Sequence, residues 1–144
     1  MLTPSLEDYL EEMYRSLRES NRTARVSEIA NILEVSMPSV VKALKKLEKM
    51  GYIIYMPYGE IELTADGKAT GEFLVKRNMV LRKFFEMLDL TCDASAEAEA
   101  VEHYLTYPII KALEKWVQFM KERGYVEEFR KFKPSQSCFE SKNK

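Results

Sequence analysis

The pattern between Val26 and Thr64 constrains this chain more than any other stretch. Val26, Ile29, Ala30 and Leu33 recur at helical spacing, and Glu34-Val35-Ser36 then breaks the pattern. A second stripe, Val40, Val41, Leu44 and Leu47, lies within Pro38–Met50. Each stripe is the apolar face of a helix too short to persist alone, so the two must pack on something. Gly51 follows as a C-terminal stop. Two short β-branched and aromatic runs come next, Tyr52-Ile53-Ile54-Tyr55 and Ile61-Glu62-Leu63-Thr64, on either side of Met56-Pro57-Tyr58-Gly59-Glu60. That is a hairpin with a Pro/Gly tip. Short helix, tight turn, second helix and hairpin together outline a winged helix-turn-helix.

The outward positions of the second helix carry Ser39, Lys42, Lys45, Lys46 and Lys49. The chain as a whole has 22 Lys and Arg against 23 Asp and Glu, a net charge of −1, so it is not a basic binder overall. The basic charge is local, and helix-turn-helix context makes it a DNA-facing surface. Ser36, Pro38, Ser39 and Lys42 stand at the front of the second helix, placed to meet base edges or phosphates of double-stranded DNA. Arg22, Arg25, Lys45 and Lys46 read as phosphate contacts, which supply affinity and salt dependence more than sequence choice. The hairpin tip has no Lys or Arg, so contacts there fall to Tyr55, Tyr58 or backbone N–H groups.

Around this core the chain is helical. Leu6, Leu10, Met13 and Leu17 mark a first helix over Ser5–Arg18, with Thr3-Pro4-Ser5 as its cap. Thr64 caps a long helix from Ala65 to about Leu88, in which Gly67 and Gly71 leave room for close approach of another element. Thr91–Ser95 is a break, Ala96–Leu105 a helix, and Thr106-Tyr107-Pro108 starts another. Ile109, Ile110, Leu113, Trp116, Val117 and Met120 form that helix's apolar face. These stripes serve both as core and as a homodimer interface, with Trp and Phe as anchors. Gly124 ends the helix, a short amphipathic piece covers Tyr125–Phe132, and Pro134–Lys144 is a polar, fraying tail. The fold class is mostly α: a winged helix-turn-helix over residues 1–70, an all-α metal-binding and dimerisation domain over 71–133, and a tail over 134–144.

No apolar run approaches the ~20 residues needed to span a bilayer. Met1-Leu2-Thr3-Pro4 lacks the basic and apolar regions of a signal peptide, and Cys92 and Cys138 lack metal-site spacing. A cytoplasmic protein with no membrane partner is expected.

The remaining signal is acidic. Glu86 to Glu102 holds six acids and no Lys or Arg. On a continuous helix, Glu99, Glu102 and His103 at i, i+3 and i+4 share one face. Two carboxylates and an imidazole make a hard-to-borderline ligand set for a divalent cation. A solvated acidic face with a satisfied histidine is the competing reading, and so is the helix dipole for the acids near the start of the first helix. Asp8 and Glu11 lie on that first helix, three residues apart. A cation joining them to Glu99, Glu102 and His103 would relieve carboxylate repulsion and make DNA binding conditional on metal.

Several of these segments in order resemble the metal-dependent repressors of the diphtheria toxin repressor class, and within it the manganese transport regulators. The carriers are Thr3-Pro4-Ser5-Leu6-Glu7-Asp8-Tyr9-Leu10-Glu11, Ala24-Arg25-Val26-Ser27-Glu28-Ile29-Ala30, Leu63-Thr64 with Gly67-Lys68, and Glu99-Ala100-Val101-Glu102-His103. The resemblance covers roughly residues 2 to 125. It implies a homodimer that binds a palindromic operator when loaded with metal and represses metal-uptake genes. It also implies that Asp8, Glu11, Glu99, Glu102 and His103 are ligands. The chain ends without the SH3-like third domain of the longer members, as the manganese regulators do. One position departs. The family places a histidine after Leu-Val-x-Arg, whereas Leu74-Val75-Lys76-Arg77 is followed here by Asn78. An amide oxygen can bind a metal but is neutral, so one or two ions per subunit are both open. Glu99, where the longer iron-dependent members carry a cysteine, favours hard ligands and hence Mn²⁺, with Fe²⁺ as the alternative.

Two other readings compete. A dinuclear metal enzyme would place Glu three residues before its His, but Ala100 precedes His103 by three, and no catalytic residue is assigned. A winged-helix regulator sensing a small organic ligand fits the Met-rich, aromatic composition but leaves the metal-type ligands without a role.

Overall fold

The computed structural model describes residues 2–56 and 58–139. Pro57 at the hairpin tip and residues 140–144 of the tail lie outside the described residues. The chain divides into two units, Met1–Met79 and Val80–Lys144.

The first unit opens with α1 (Pro4–Ser20), where the Thr3 side chain accepts the Leu6 N–H at 3.3 Å and Pro4 takes the first helical position. Asn21 ends it in the left-handed region, φ 55°. Two short helices follow, α2 (Val26–Ile32) and α3 (Met37–Lys49), joined by a tight turn in which Glu34 also has φ 54°. Ser36 caps α3 by accepting the Ser39 N–H at 3.2 Å. Strands β1 (Ile53–Tyr55) and β2 (Ile61–Leu63) pair antiparallel in the register Ile53↔Leu63, Ile54↔Glu62, Tyr55↔Ile61. Ile53, Ile61 and Leu63 face inward and Ile54 and Glu62 outward, the two-residue alternation of a half-buried ribbon. Winged helix-turn-helix is therefore the observed fold of this unit.

Its core joins all of these elements. Leu10, Met13, Ile29, Val40, Leu44, Leu47 and Ile53 are fully buried, and Leu74 from the long helix α4 (Ala65–Met87) belongs to the same cluster. Burying each such side chain contributes roughly 1.5–3 kcal/mol. Two glycines set how closely α4 approaches. A Cβ at Gly67 would run into the Tyr52 carbonyl oxygen, and one at Gly71 would meet Tyr14 Cβ at 2.6 Å. Thr64 fixes the start of α4: its hydroxyl accepts the Gly67 N–H at 3.0 Å and donates to the carbonyls of Gly51 and Tyr52.

The unit boundary falls inside α4. Beyond it come α5 (Ala94–Val101), a 3-10 turn (Glu102–Tyr104), α6 (Tyr107–Arg123) and α7 (Val126–Lys131). Asp93 caps α5 by accepting the Ser95 and Ala96 N–H groups, so the helix starts two residues before the expected Ala96. It also stops earlier than expected, at Val101 and not Leu105. Thr106 must be extended to cap α6, Leu105 is extended before it, and a closing 3-10 turn fits the space. Gly124 ends α6 in the left-handed region at φ 69°. Met87, Val117 and Met120 form a buried cluster of this unit, with Phe84, Trp116 and Val126 packed on it. Phe84 and Trp116 meet edge to face at 5.2 Å, and Trp116 and Phe129 at 6.4 Å. Ile109, Phe119, Tyr125, Phe129 and Phe132 stay exposed.

Candidate DNA-binding face and metal centre

Helix α3 buries Val40, Ala43, Leu44 and Leu47 and leaves Lys42, Lys45, Lys46 and Lys49 exposed. The amphipathic pattern thus delivers a lysine face without any buried cation. Pro38 and Ser39 are exposed at its front. The Ser36 and Ser39 hydroxyls bond each other at 2.8 Å while Ser36 caps the helix, so both are already engaged. Glu48 turns back and accepts the Tyr55 N–H at 2.9 Å, tying α3 to the wing. At the wing tip Tyr58 is 96% exposed.

The link from α1 to α2 places both arginines at the surface. Arg22 grips Glu28 through two hydrogen bonds, Nη2 to Oε1 at 2.7 Å and Nη1 to Oε2 at 3.1 Å. The same carboxylate accepts the Arg25 N–H at 2.9 Å. The Arg22 fork and the Arg25 amide stabilise the charged form, so the Glu28 carboxyl drops to about 2. Nothing in the sequence pairs Glu28 with Arg22. A Glu at the third position of a helix signals a cap when Ser or Thr stands at the N-cap, but Arg25 stands there, and six residues separate Arg22 from Glu28.

Of the six candidate metal ligands, three lie in the first unit. Asp8 is half-buried and Glu11 buried on α1, and Asn78 is buried on α4. Glu11 accepts from Arg15 at 2.7 Å. Glu12 beside it is pushed up by burial, with Arg15 opposing. Next to Asn78, Arg77 is 2% exposed, bonds Glu7 at 2.8 Å and stacks over the Phe73 ring. The other three lie in the second unit. Glu102 is only 4% exposed, His103 is half-buried and Glu99 is exposed.

The structure brings Glu102 and His103 together. Each offers a ligand atom within 4.8 Å of the other's, and His103 Nε2 stands 3.9 Å from Glu102 Oε1. The expected common helix face is corrected, because Glu99 is on α5 while Glu102 and His103 are in the 3-10 turn after it. A carboxylate nearly closed to solvent beside an imidazole is a donor pair that suits a divalent ion.

Two family descriptions match almost the whole chain: the iron dependent repressor N-terminal DNA binding domain over residues 1–61, and the iron dependent repressor metal binding and dimerisation domain over residues 64–128. This chain belongs to the iron-dependent repressor family. It is a transcriptional regulator and not an enzyme, and its iron-dependent repressor fold confirms the expected winged helix-turn-helix followed by a helical domain. The HTH-type transcriptional regulators MntR of Shouchella clausii (strain KSM-K16) and Bacillus subtilis (strain 168) are each 37% identical over 123 residues. The match covers 85% of this chain and 85% and 86% of theirs. Among solved structures, that of the manganese regulator SloR matches with a TM-score of 0.59 at 25% identity over 82% of this chain. The chain spans 55% of SloR's length. The hypothetical protein SSo2273 from Sulfolobus solfataricus shares the fold, with a TM-score of 0.60 at 20% identity, covering 81% of this chain and 89% of that one.

Proposed function

We propose that this protein is a manganese-responsive repressor: a homodimer that binds palindromic operator DNA when a divalent cation is bound, and so represses metal-uptake genes. The observation that supports it most is the buried Glu102 carboxylate beside His103 within a metal-binding and dimerisation domain. The cation would be held by Glu102 and His103 with Asp8, Glu11 and Glu99, and Asn78 would offer an amide oxygen. Bound there, it would supply positive charge beside the buried Glu102 carboxylate and offset repulsion among these acids. Carboxylate-rich, thiolate-free ligation favours Mn²⁺, and the likeness to the manganese regulator SloR points the same way. Fe²⁺ is the alternative, and one or two ions per subunit fit a donor set with asparagine at position 78.

DNA is met by α3 and the link before α2. Ser36, Pro38, Ser39 and Lys42 approach base edges or phosphates, while Arg22, Arg25, Lys45 and Lys46 meet phosphates. The exposed Phe119, Phe129 and Phe132 of the second unit supply apolar area for the second copy.

The test is Glu102→Ala and His103→Ala. Both variants are expected to stay folded and dimeric but to lose metal-activated DNA binding. A full metal response in either variant would overturn the site. A chelator separates this reading from a sensor of organic ligands, since it abolishes DNA binding only in the metal sensor.

A further inference from the structure

The Arg22–Glu28 pair lies at the surface, where an ion pair adds little to stability. It has a larger effect on charge. Arg22 is one of the cations assigned to phosphate, and its fork is spent on Glu28 through both Nη atoms, with Nη1 also 3.3 Å from the Thr23 carbonyl. The Arg25 N–H donates to Oε2 of the same carboxylate, the oxygen that Arg22 Nη1 also reaches. The link is built to keep this arrangement: Ser16 Oγ donates to the Arg22 carbonyl at 2.9 Å, and Asn21 turns the chain in the left-handed region. Arg22, Arg25 and Lys68 line a groove of about 870 Å³ that reaches the wing at Tyr58, Glu60 and Glu62.

We propose that Glu28 is a positioning residue that limits DNA affinity: it holds Arg22 as a neutral pair, so this guanidinium enters DNA binding with its charge largely cancelled. The inference rests on the DNA-facing reading of α3 and the link before α2. Glu28 is ionised across the neutral range, as any surface carboxylate held by an arginine fork is. The brake is therefore permanent, not pH-gated. A phosphate approaching Arg22 meets a carboxylate already in its fork and must displace it or share it. The four lysines of α3 are under no such restraint from a salt bridge among the described residues, so they dominate the salt dependence.

The experiment measures the affinity of the full-length, Mn²⁺-loaded protein for a short mixed-sequence duplex across a salt series. Each phosphate contact steepens log K against log salt by about 0.9. Glu28→Gln keeps an oxygen for the Arg25 N–H and is expected to steepen the slope by about 0.9 per subunit and to tighten binding at low salt. Adding Arg22→Ala to Glu28→Gln is expected to remove that gain. Lys45→Ala is expected to flatten the slope, and Arg22→Ala alone to flatten it less. An unchanged or flatter slope in Glu28→Gln, beside a flattened one in Lys45→Ala, overturns the inference alone. A gain that survives Arg22→Ala overturns it too. Unchanged slopes in both Glu28→Gln and Lys45→Ala overturn the DNA-facing reading and the inference with it.

Discussion

Glu28 shows how one carboxylate ties stability to pH. Its folded value of about 2 lies below the ordinary 4.5, so the folded state binds its proton less readily than the unfolded chain does. The stabilisation, small because the pair is exposed to solvent, is complete above pH 4.5 and is lost as pH falls from there toward 2. Glu72, lowered by its hydrogen bond from Lys76, works in the same direction. Acid titration followed by circular dichroism is expected to show Glu28→Gln losing less stability than the parent across that window. At Asn78 the expectation concerns metal. Asn78→His restores the imidazole of the resembling family and is expected to tighten Mn²⁺ binding or raise its stoichiometry in calorimetry; no change in either would place Asn78 outside the ligand shell. Residue identity and spacing in the sequence place Glu102 and His103 among the candidate ligands. Their pairing inside a 3-10 turn was not legible, because i, i+3, i+4 spacing assumes one continuous helix. The Arg22–Glu28 grip was equally hidden, since its partners sit on a link and a helix with no shared period.

Among the elements, α4 depends most on what is missing from two of its residues. The sequence marked Gly67 and Gly71 as points of close approach, and the structure supplies the neighbours, the Tyr52 carbonyl and Tyr14. Backbone cannot yield as a flexible side chain can, so Gly67→Ala is expected to cost at least the ~1–3 kcal/mol typical of overpacking. Urea unfolding reads this as a lower midpoint, and Gly71→Ala is expected to follow it in the same direction. Helix α5 is anchored by Asp93, whose removal in Asp93→Ala is expected to cost about 1 kcal/mol. That change should loosen the turn bearing Glu102 and His103, seen as weaker Mn²⁺ binding than in the parent. The helices and the hairpin were readable because apolar periods of 3.6 and 2 carry them. Their ends were less so, since Asp93 capping α5 and the extended Leu105 and Thr106 are decided by local hydrogen bonds and by the next helix.

At the scale of the whole molecule the charge is divided by task. Four lysines project from α3, and six acids with no Lys or Arg occupy Glu86 to Glu102. A basic surface is expected to give DNA binding that weakens steeply with salt, and the acidic stretch is expected to supply ligands to a cation. The most direct measurement starts from metal-stripped protein and a duplex enriched from a random pool in the presence of Mn²⁺. Fluorescence anisotropy of that duplex is followed as Mn²⁺ is added back. The expected result is binding that rises with Mn²⁺, reverses with chelator and is absent in Glu102→Ala. Equal affinity with and without Mn²⁺ would contradict a metal-dependent switch.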